Sequence, residues 1–218
     1  MGAVAIVDMG MGNLRSVQKA IERAAEGARL AWDAVITSDA DRIHHADKVI
    51  VPGQGAFRDC AAALGRGIGP AVRAQIGRGT PFLGICLGLQ ALFEASEESP
   101  GAEGLAVFAG KNLRLPDGQR DPSTGEALKI PHMGWNGIEL VGAAHPYLVA
   151  AGGEGTHFYF THSYHAVPDD RSLLAATAHH GPMSITAAVA KDNVFASQFH
   201  PEKSQAAGLR LLSAFLAS

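Results

Sequence analysis

Short apolar runs bounded by glycine or proline alternate with stretches of helical period through the first hundred residues. Residues 3–8, 48–52 and 81–86 are predicted as buried strands, and 13–26, 56–64 and 87–95 as the helices that follow them. Such alternation implies a parallel sheet, because parallel strands need crossovers and the crossover helices cover the sheet faces. From residue 101 onward the texture changes. Residues 113–119 read as a turn, and 137–141, 156–164, 173–177, 184–190 and 194–199 as strands of an antiparallel or mixed region. Residues 205–217 carry a helical stripe of Ala206, Leu209, Leu212, Ala214 and Leu216.

Size and charge narrow the functions open to such a chain. Its 218 residues fit a single domain over 1–218, since domains run to about 100–200 residues. Lys and Arg total 18 against 21 Asp and Glu, so there is no basic field to hold nucleic acid or an anionic membrane, and a small substrate is expected. Two cysteines are too few for a disulfide framework and fit a reducing cytoplasm. Residues 1–8 enter a strand pattern without the basic and apolar regions of a signal peptide, and no run reaches the roughly 18 apolar residues of a membrane span. A cytoplasmic, unexported protein is therefore expected.

The first candidate chemistry lies in Pro81-Phe-Leu-Gly-Ile-Cys-Leu-Gly-Leu-Gln90. It reads as a strand turning sharply at Cys86 into a helix, with Gly84 and Gly88 spaced as in the G-x-S-x-G nucleophile elbow and cysteine in the serine's place. Two backbones pack closely at such a turn, so side chains are excluded two residues either side of the nucleophile. Unpaired N–H groups at the new helix's start favour thiolate over thiol, and the Leu87 N–H is placed to face an oxyanion. Gln90, one helical turn beyond Cys86, faces the same side. Cys60, set among alanines in a helical stretch, is expected only to pack.

The second lies in Val194-Phe-Ala-Ser-Gln-Phe-His-Pro-Glu-Lys203. Pro201 disfavours helix at His200 and holds it extended, so that His200 and Glu202 share a face. That pair supplies a base and the carboxylate that orients it, which a cysteine nucleophile needs for acyl transfer. Cys86, His200 and Glu202 are the predicted triad.

Gly84-Ile-Cys-Leu-Gly88, Val51-Pro-Gly-Gln-Gly-Ala-Phe57 and His200-Pro-Glu202 resemble the signatures of class I glutamine amidotransferases. Gly12-Asn-Leu-Arg-Ser-Val17, Pro131-His-Met-Gly-Trp-Asn136, Thr161-His-Ser-Tyr164 and Gln198-Phe-His-Pro-Glu-Lys-Ser204 resemble, within that class, the glutaminase subunits of imidazole glycerol phosphate synthases. The resemblance implies a three-layer, flavodoxin-like α/β fold with a mixed central sheet and helices on both faces. It implies that L-glutamine is hydrolysed to glutamate and ammonia through a cysteinyl thioester. It also implies a heterodimer with a (β/α)8-barrel cyclase subunit, which uses the ammonia to make imidazole glycerol phosphate and an aminoimidazole carboxamide ribonucleotide. Because the glutaminase and the acceptor site then lie on two chains, glutamine turnover is expected to stay low until the cyclase and its ligand are present.

By the same resemblance, Gln54, Gly55 and Leu87 face the oxyanion. Gly55, Gln90, Glu98, Ser163 and Tyr164 hold the glutamine, and Asn13, Arg15, Met133, Trp135, Tyr159 and Lys203 lie at the partner interface. Gln54 stands where members commonly carry an aliphatic residue, a departure that bears on the conformation of the oxyanion loop. No metal or organic cofactor is implied, since a thiolate and backbone donors suffice for amide hydrolysis.

Other readings compete. Asp8-Met-Gly-Met-Gly-Asn-Leu-Arg15 follows a strand and opens a helix like a dinucleotide-binding turn, but Arg15 replaces the last glycine, whose absence of a side chain lets helix and strand pack closely. His44-His45, His162 with His165, and His179-His180 invite a metal reading, yet lack acidic partners at ligand spacing. The same triad serves a stand-alone thiol or γ-glutamyl hydrolase, or the glutaminase subunit of another synthase. A catalytically silent docking subunit would need a broken triad.

Overall fold

The computed structural model describes residues 2–218; Met1, part of the 1–8 stretch considered above, lies outside the described residues. The first half runs β1 (Gly2–Val7), α1 (Leu14–Ala28), β2 (Trp32–Thr37), α2 (Ala40–His44), β3 (Lys48–Gly53), α3 (Phe57–Ala63), α4 (Gly69–Gly77), β4 (Phe82–Cys86) and α5 (Leu87–Gln90). The second half adds β5 (Ala95–Ser96), β6 (Gly110–Arg114), β7 (His132–Leu140), α6 (Pro146–Ala151), β8 (His157–His162), β9 (Tyr164–Pro168), β10 (Leu174–His180), β11 (Met183–Lys191), β12 (Val194–Ser197) and α7 (Gln205–Ala217).

Nine strands form one mixed sheet in the order β2-β1-β3-β4-β12-β11-β10-β7-β8. Its first half is parallel, β12 continues parallel beside β4, and β11, β10, β7 and β8 follow antiparallel. A separate three-stranded sheet, β5-β6-β9, sits to one side. The strand period of two splits the core into two layers. Val4, Ile6, Ile50, Leu83 and Ile85 pack with Val17 and Ile21 of α1 and Leu211, Leu212 and Phe215 of α7. Ala5, Val7, Val49 and Val51 pack on the other face with Phe57 and Cys60 of α3 and Val72 of α4. The result is the three-layer α/β architecture that the sequence predicts. Among the described residues no helix is long and apolar enough to cross a membrane.

The structure corrects several sequence-based boundaries. The helix expected over residues 87–95 is only α5, a single turn. The carbonyls from Gln90 onward, which a longer helix would use, are claimed from outside: the Asn112 side chain donates to Gln90 O at 3.0 Å, Leu105 N to Ala91 O at 2.7 Å, and Val107 N to Leu92 O at 2.9 Å. The strand expected over 156–164 breaks at Ser163 into β8 and β9, which join different sheets. Leu113 and Arg114, read as turn, end strand β6. The pattern reading also passed over β2, α2, α4 and α6, because β2 has only two buried positions and the three helices are short.

Candidate active site

Cys86 ends β4 and caps α5, with φ 54° and ψ −100°, a conformation that costs energy for any residue with a side chain. Close packing of the surrounding backbone holds it there. A Cβ on Gly88 would lie 1.7 Å from Val51 O, and one on Gly84 2.8 Å from Gly88 O and 2.9 Å from Ala196 Cβ. The elbow is therefore wedged between β3 and β12, the two neighbours of β4, and the thiol projects into the cleft above the carboxyl ends of the parallel strands, where open α/β sheets place their sites.

His200 arrives from β12, which lies beside β4 in the sheet. Its backbone is extended, but Glu202 sits in the short 3-10 turn Pro201–Lys203, so the pairing is made across a turn and not along one strand face as expected. His200 Nδ1 and Glu202 Oε1 are 2.8 Å apart, with the side chains only 1% and 3% exposed. Nε2 of His200 is buried without a hydrogen-bond partner among the described residues. Burial opposes charge on this imidazole, but the Cys86 sulfur and the Glu202 carboxylate outweigh burial and raise its pKa to about 9. An imidazolium beside a sulfur anion is the charge state that can attack an amide and then protonate the departing amine.

The cleft, of about 480 Å³, is lined by Gln54, Gly55, Cys86, Leu87, Gln90, Glu98, Ser163 and Tyr164, together with Pro131, Met133, Tyr159, Thr161, His162 and Lys203. Gly55 has φ +133°, which favours glycine, and a Cβ on Gly12 would lie 3.1 Å from Gln54 N, so the 8–15 loop backs onto the Gln54 turn. Gln90 Nε2 donates to Tyr164 O at 2.8 Å and to Gln198 Oε1 at 3.3 Å, so what the amide can offer a ligand is its oxygen. Glu98 Oε2 accepts from Phe57 N at 2.7 Å, tying the start of α3, just beyond the Gln54–Gly55 turn, to the cleft wall.

Of the expected interface residues, Met133, Tyr159 and Lys203 line the cleft, and Trp135 packs edge-on to Tyr159 at 6.2 Å while Lys203 Nζ lies 5.8 Å from the Tyr159 ring centre. Met133 and Trp135 are 62% and 47% exposed, a large apolar surface to leave in water. Asn13 and Arg15 stand apart from the cleft lining: Asn13 caps α1 by accepting from Ser16 N, and Arg15 donates to Gln18. Sequence reasoning gave no role to Pro131, Thr161 and His162 of the cleft wall, nor to Gln198, whose Nε2 lies 3.4 Å from Cys86 Sγ. Cys60 is fully buried, and burial pushes its thiol up to about 12, well away from reactivity.

His132, His162, His165 and His180 are also buried, with His132 Nδ1 3.1 Å from His162 Nε2. Among the described residues no group of three or more His, Cys, Asp or Glu is arranged to hold a metal ion. Burial lowers all four; in addition the charge of His180 presses on His132 and that of His132 on His162, and His132 and His165 fall to about 4. The unfolded chain therefore binds more protons than the folded one below pH about 6.5, so stability falls as pH drops from there towards 4. Urea unfolding midpoints measured across this window should decline, and the decline should be shallower in His132→Asn. A midpoint independent of pH between 6.5 and 4 contradicts the assignment of these imidazoles as buried and neutral.

Residues 5–217 match the family model "Glutamine amidotransferase class-I". The chain is 48% identical over 216 residues to "Imidazole glycerol phosphate synthase subunit HisH" of Methylococcus capsulatus, covering 99% of this chain and 96% of that protein. It is 46% identical to the protein of the same name from Geobacter sulfurreducens, covering 99% and 98%. Among solved structures, PurLQS from Thermotoga maritima superposes with a TM-score of 0.72 at 18% identity over 100% of this chain and 99% of that one, a likeness of fold. The chain belongs to the class I glutamine amidotransferases and, among them, to the family of imidazole glycerol phosphate synthase HisH subunits.

Proposed function

We propose that Cys86 attacks the side-chain carboxamide of L-glutamine, with His200 as proton carrier and Glu202 as the group that orients it. The observation that carries this reading is the buried His200–Glu202 pair with its free Nε2 beside the thiol at the head of the elbow. Attack gives a tetrahedral oxyanion, and the Leu87 N–H and the Gln54–Gly55 turn, which line the cleft, are assigned as its backbone donors. His200 then delivers its proton to the departing ammonia and leaves a thioester. Water, giving its proton to His200, releases glutamate. Glu98 and the oxygen of Gln90 suit the ammonium of the substrate's amino-acid end, and Ser163 and Tyr164 complete that wall.

Ammonia released into neutral water is protonated and ceases to be a nucleophile, so a glutaminase gains from passing it directly to a partner. The exposed Met133–Trp135 surface beside the cleft supports a partner seated on this rim. We assign that partner as a (β/α)8-barrel cyclase, which turns the ammonia and a phosphorylated ribonucleotide into imidazole glycerol phosphate and an aminoimidazole carboxamide ribonucleotide. Asn13 and Arg15 are assigned to the edge of the same interface. Residues 1–218 act as one glutaminase domain in the cytoplasm, where the precursor of histidine is made.

Glutamate release should be low for the isolated chain and rise when the cyclase and its nucleotide ligand are added. Equal turnover without the cyclase favours a stand-alone hydrolase. Trp135→Ala should weaken the complex by roughly 30-fold or more, the loss of about 2 kcal/mol expected of a buried aromatic anchor. Titration calorimetry reads this directly, and an unchanged Kd removes Trp135 from the interface.

A further inference from the structure

Gln198 has no exposed surface, and its amide stands at the reacting sulfur. It stands in the segment just beyond β12: Gln198 and His200 both face the thiol, while Phe199 between them turns away and stacks on Phe158 with ring centres 4.0 Å apart. The backbone is locked by Gln198 N donating to Ala187 O at 2.8 Å and by Ser197 Oγ donating to Phe199 O at 3.0 Å.

The direction of the amide follows from its neighbours. Tyr164 O is a carbonyl and can only accept, so the end of Gln90 that meets it at 2.8 Å is the NH2 group. That NH2 also faces Gln198 at 3.3 Å, so the Gln198 atom opposite must be the oxygen. The remaining end of Gln198, 3.4 Å from Cys86 Sγ, is therefore the NH2 group. A relay running Tyr164, Gln90, Gln198, Cys86 fixes a neutral donor on the sulfur.

We propose that Gln198 is a further catalytic residue, whose side-chain N–H holds the Cys86 sulfur as an anion in the resting site and receives it again when the thioester is hydrolysed. A thiolate accepts a hydrogen bond far better than a thiol or a thioester sulfur, so this donor favours the two states in which sulfur carries charge. In the second half-reaction water adds to the acyl carbon and its proton goes to His200. The C–S bond then breaks with its electron pair passing to the sulfur, which the Gln198 N–H and the His200 imidazolium stabilise. No oxidant or further reactant is needed.

The inference rests on Cys86 being the nucleophile, and the test separates the two claims. Gln198→Met keeps the length and removes the donor, whereas Gln198→Glu keeps the shape and brings an acceptor to the sulfur. Iodoacetamide labelling of the full chain, followed by peptide mapping over pH 6–10, reads Cys86 without requiring turnover. At pH 7 labelling of Cys86 should fall by roughly ten-fold in Gln198→Met and further in Gln198→Glu, the loss expected of a hydrogen bond to a charged group. Rates should meet wild type at the alkaline end, and glutamate release should fall in step. Labelling profiles that superimpose on wild type overturn the proposal, even where turnover is lost. If neither variant folds, the Gln198 side-chain amide resonances of the wild-type protein take their place. They should shift when Cys86 is alkylated, and unmoved resonances overturn the proposal. Glutamate release that survives Cys86→Ala would instead sink the reading of Cys86 itself.

Discussion

Glutamate release from glutamine falls by on the order of 10⁵-fold when Cys86 is replaced by alanine, and stays within about two-fold of wild type when Cys60 is. The contrast tests position and not thiol chemistry in general, because the chain holds these two cysteines and no other. Cys60 lies in α3 against Met9, fully buried, with its thiol held neutral by burial and, among the described residues, with no base hydrogen-bonded to it. Cys86 stands at a turn with a buried imidazole, an amide donor and a 480 Å³ cleft in front of it. The measurement is a coupled glutamate assay in the presence of the cyclase and its ligand, with melting curves to show that both variants fold. Residual activity in Cys86→Ala above a hundredth of wild type removes Cys86 from the chemistry.

Gly88→Ala is the second large effect, and it acts through the fold. A methyl group at this position would sit 1.7 Å from Val51 O, far inside contact distance, with backbone as the obstacle and no flexible side chain to give way. Either α5 rides outward from β3 or Val51 shifts within the parallel sheet, and both displace Cys86 from His200. Overpacking of this kind costs about 3 kcal/mol or more, which lowers the melting temperature by roughly 6–12 °C for a chain of this size. Turnover falls with it, because the elbow sets the thiol's direction. By contrast, Gly65→Ala, where a Cβ meets nothing within 4 Å, should leave both properties near wild type. A Gly88→Ala protein with unchanged melting temperature and activity contradicts the wedge geometry.

How much of this was legible in the sequence depended on the distance over which each feature is encoded. The elbow is local: Gly84, Cys86 and Gly88 announce it by spacing alone, and the clashes a Cβ would make at both glycines supply the reason. The His200-Pro-Glu202 pairing is local too, although the 3-10 turn that brings Glu202 round was not foreseen. What escaped was encoded far away. The helix goes no further than α5 because the Asn112 side chain and Leu105 N, distant in sequence, take the Gln90 and Ala91 carbonyls that a longer helix would use. The break at Ser163, which turns Ser163 and Tyr164 into the cleft, exists because β8 and β9 serve different sheets. The place of Gln198 requires that β12 be the neighbour of β4, a pairing across more than a hundred residues that no periodicity reveals. Asn13 shows the converse, because its cap on α1 is readable from sequence as local structure, whereas an interface role is not.

The most direct test of the account is covalent trapping with a diazoketone analogue of glutamine, whose electrophilic carbon takes the place of the substrate's carboxamide. Peptide mass mapping of the chain in complex with its cyclase should find one adduct, on Cys86, slowed by glutamine in excess and by loss of His200. An adduct on Cys60, or Cys86 left unmodified while glutamine is still being turned over, would contradict it.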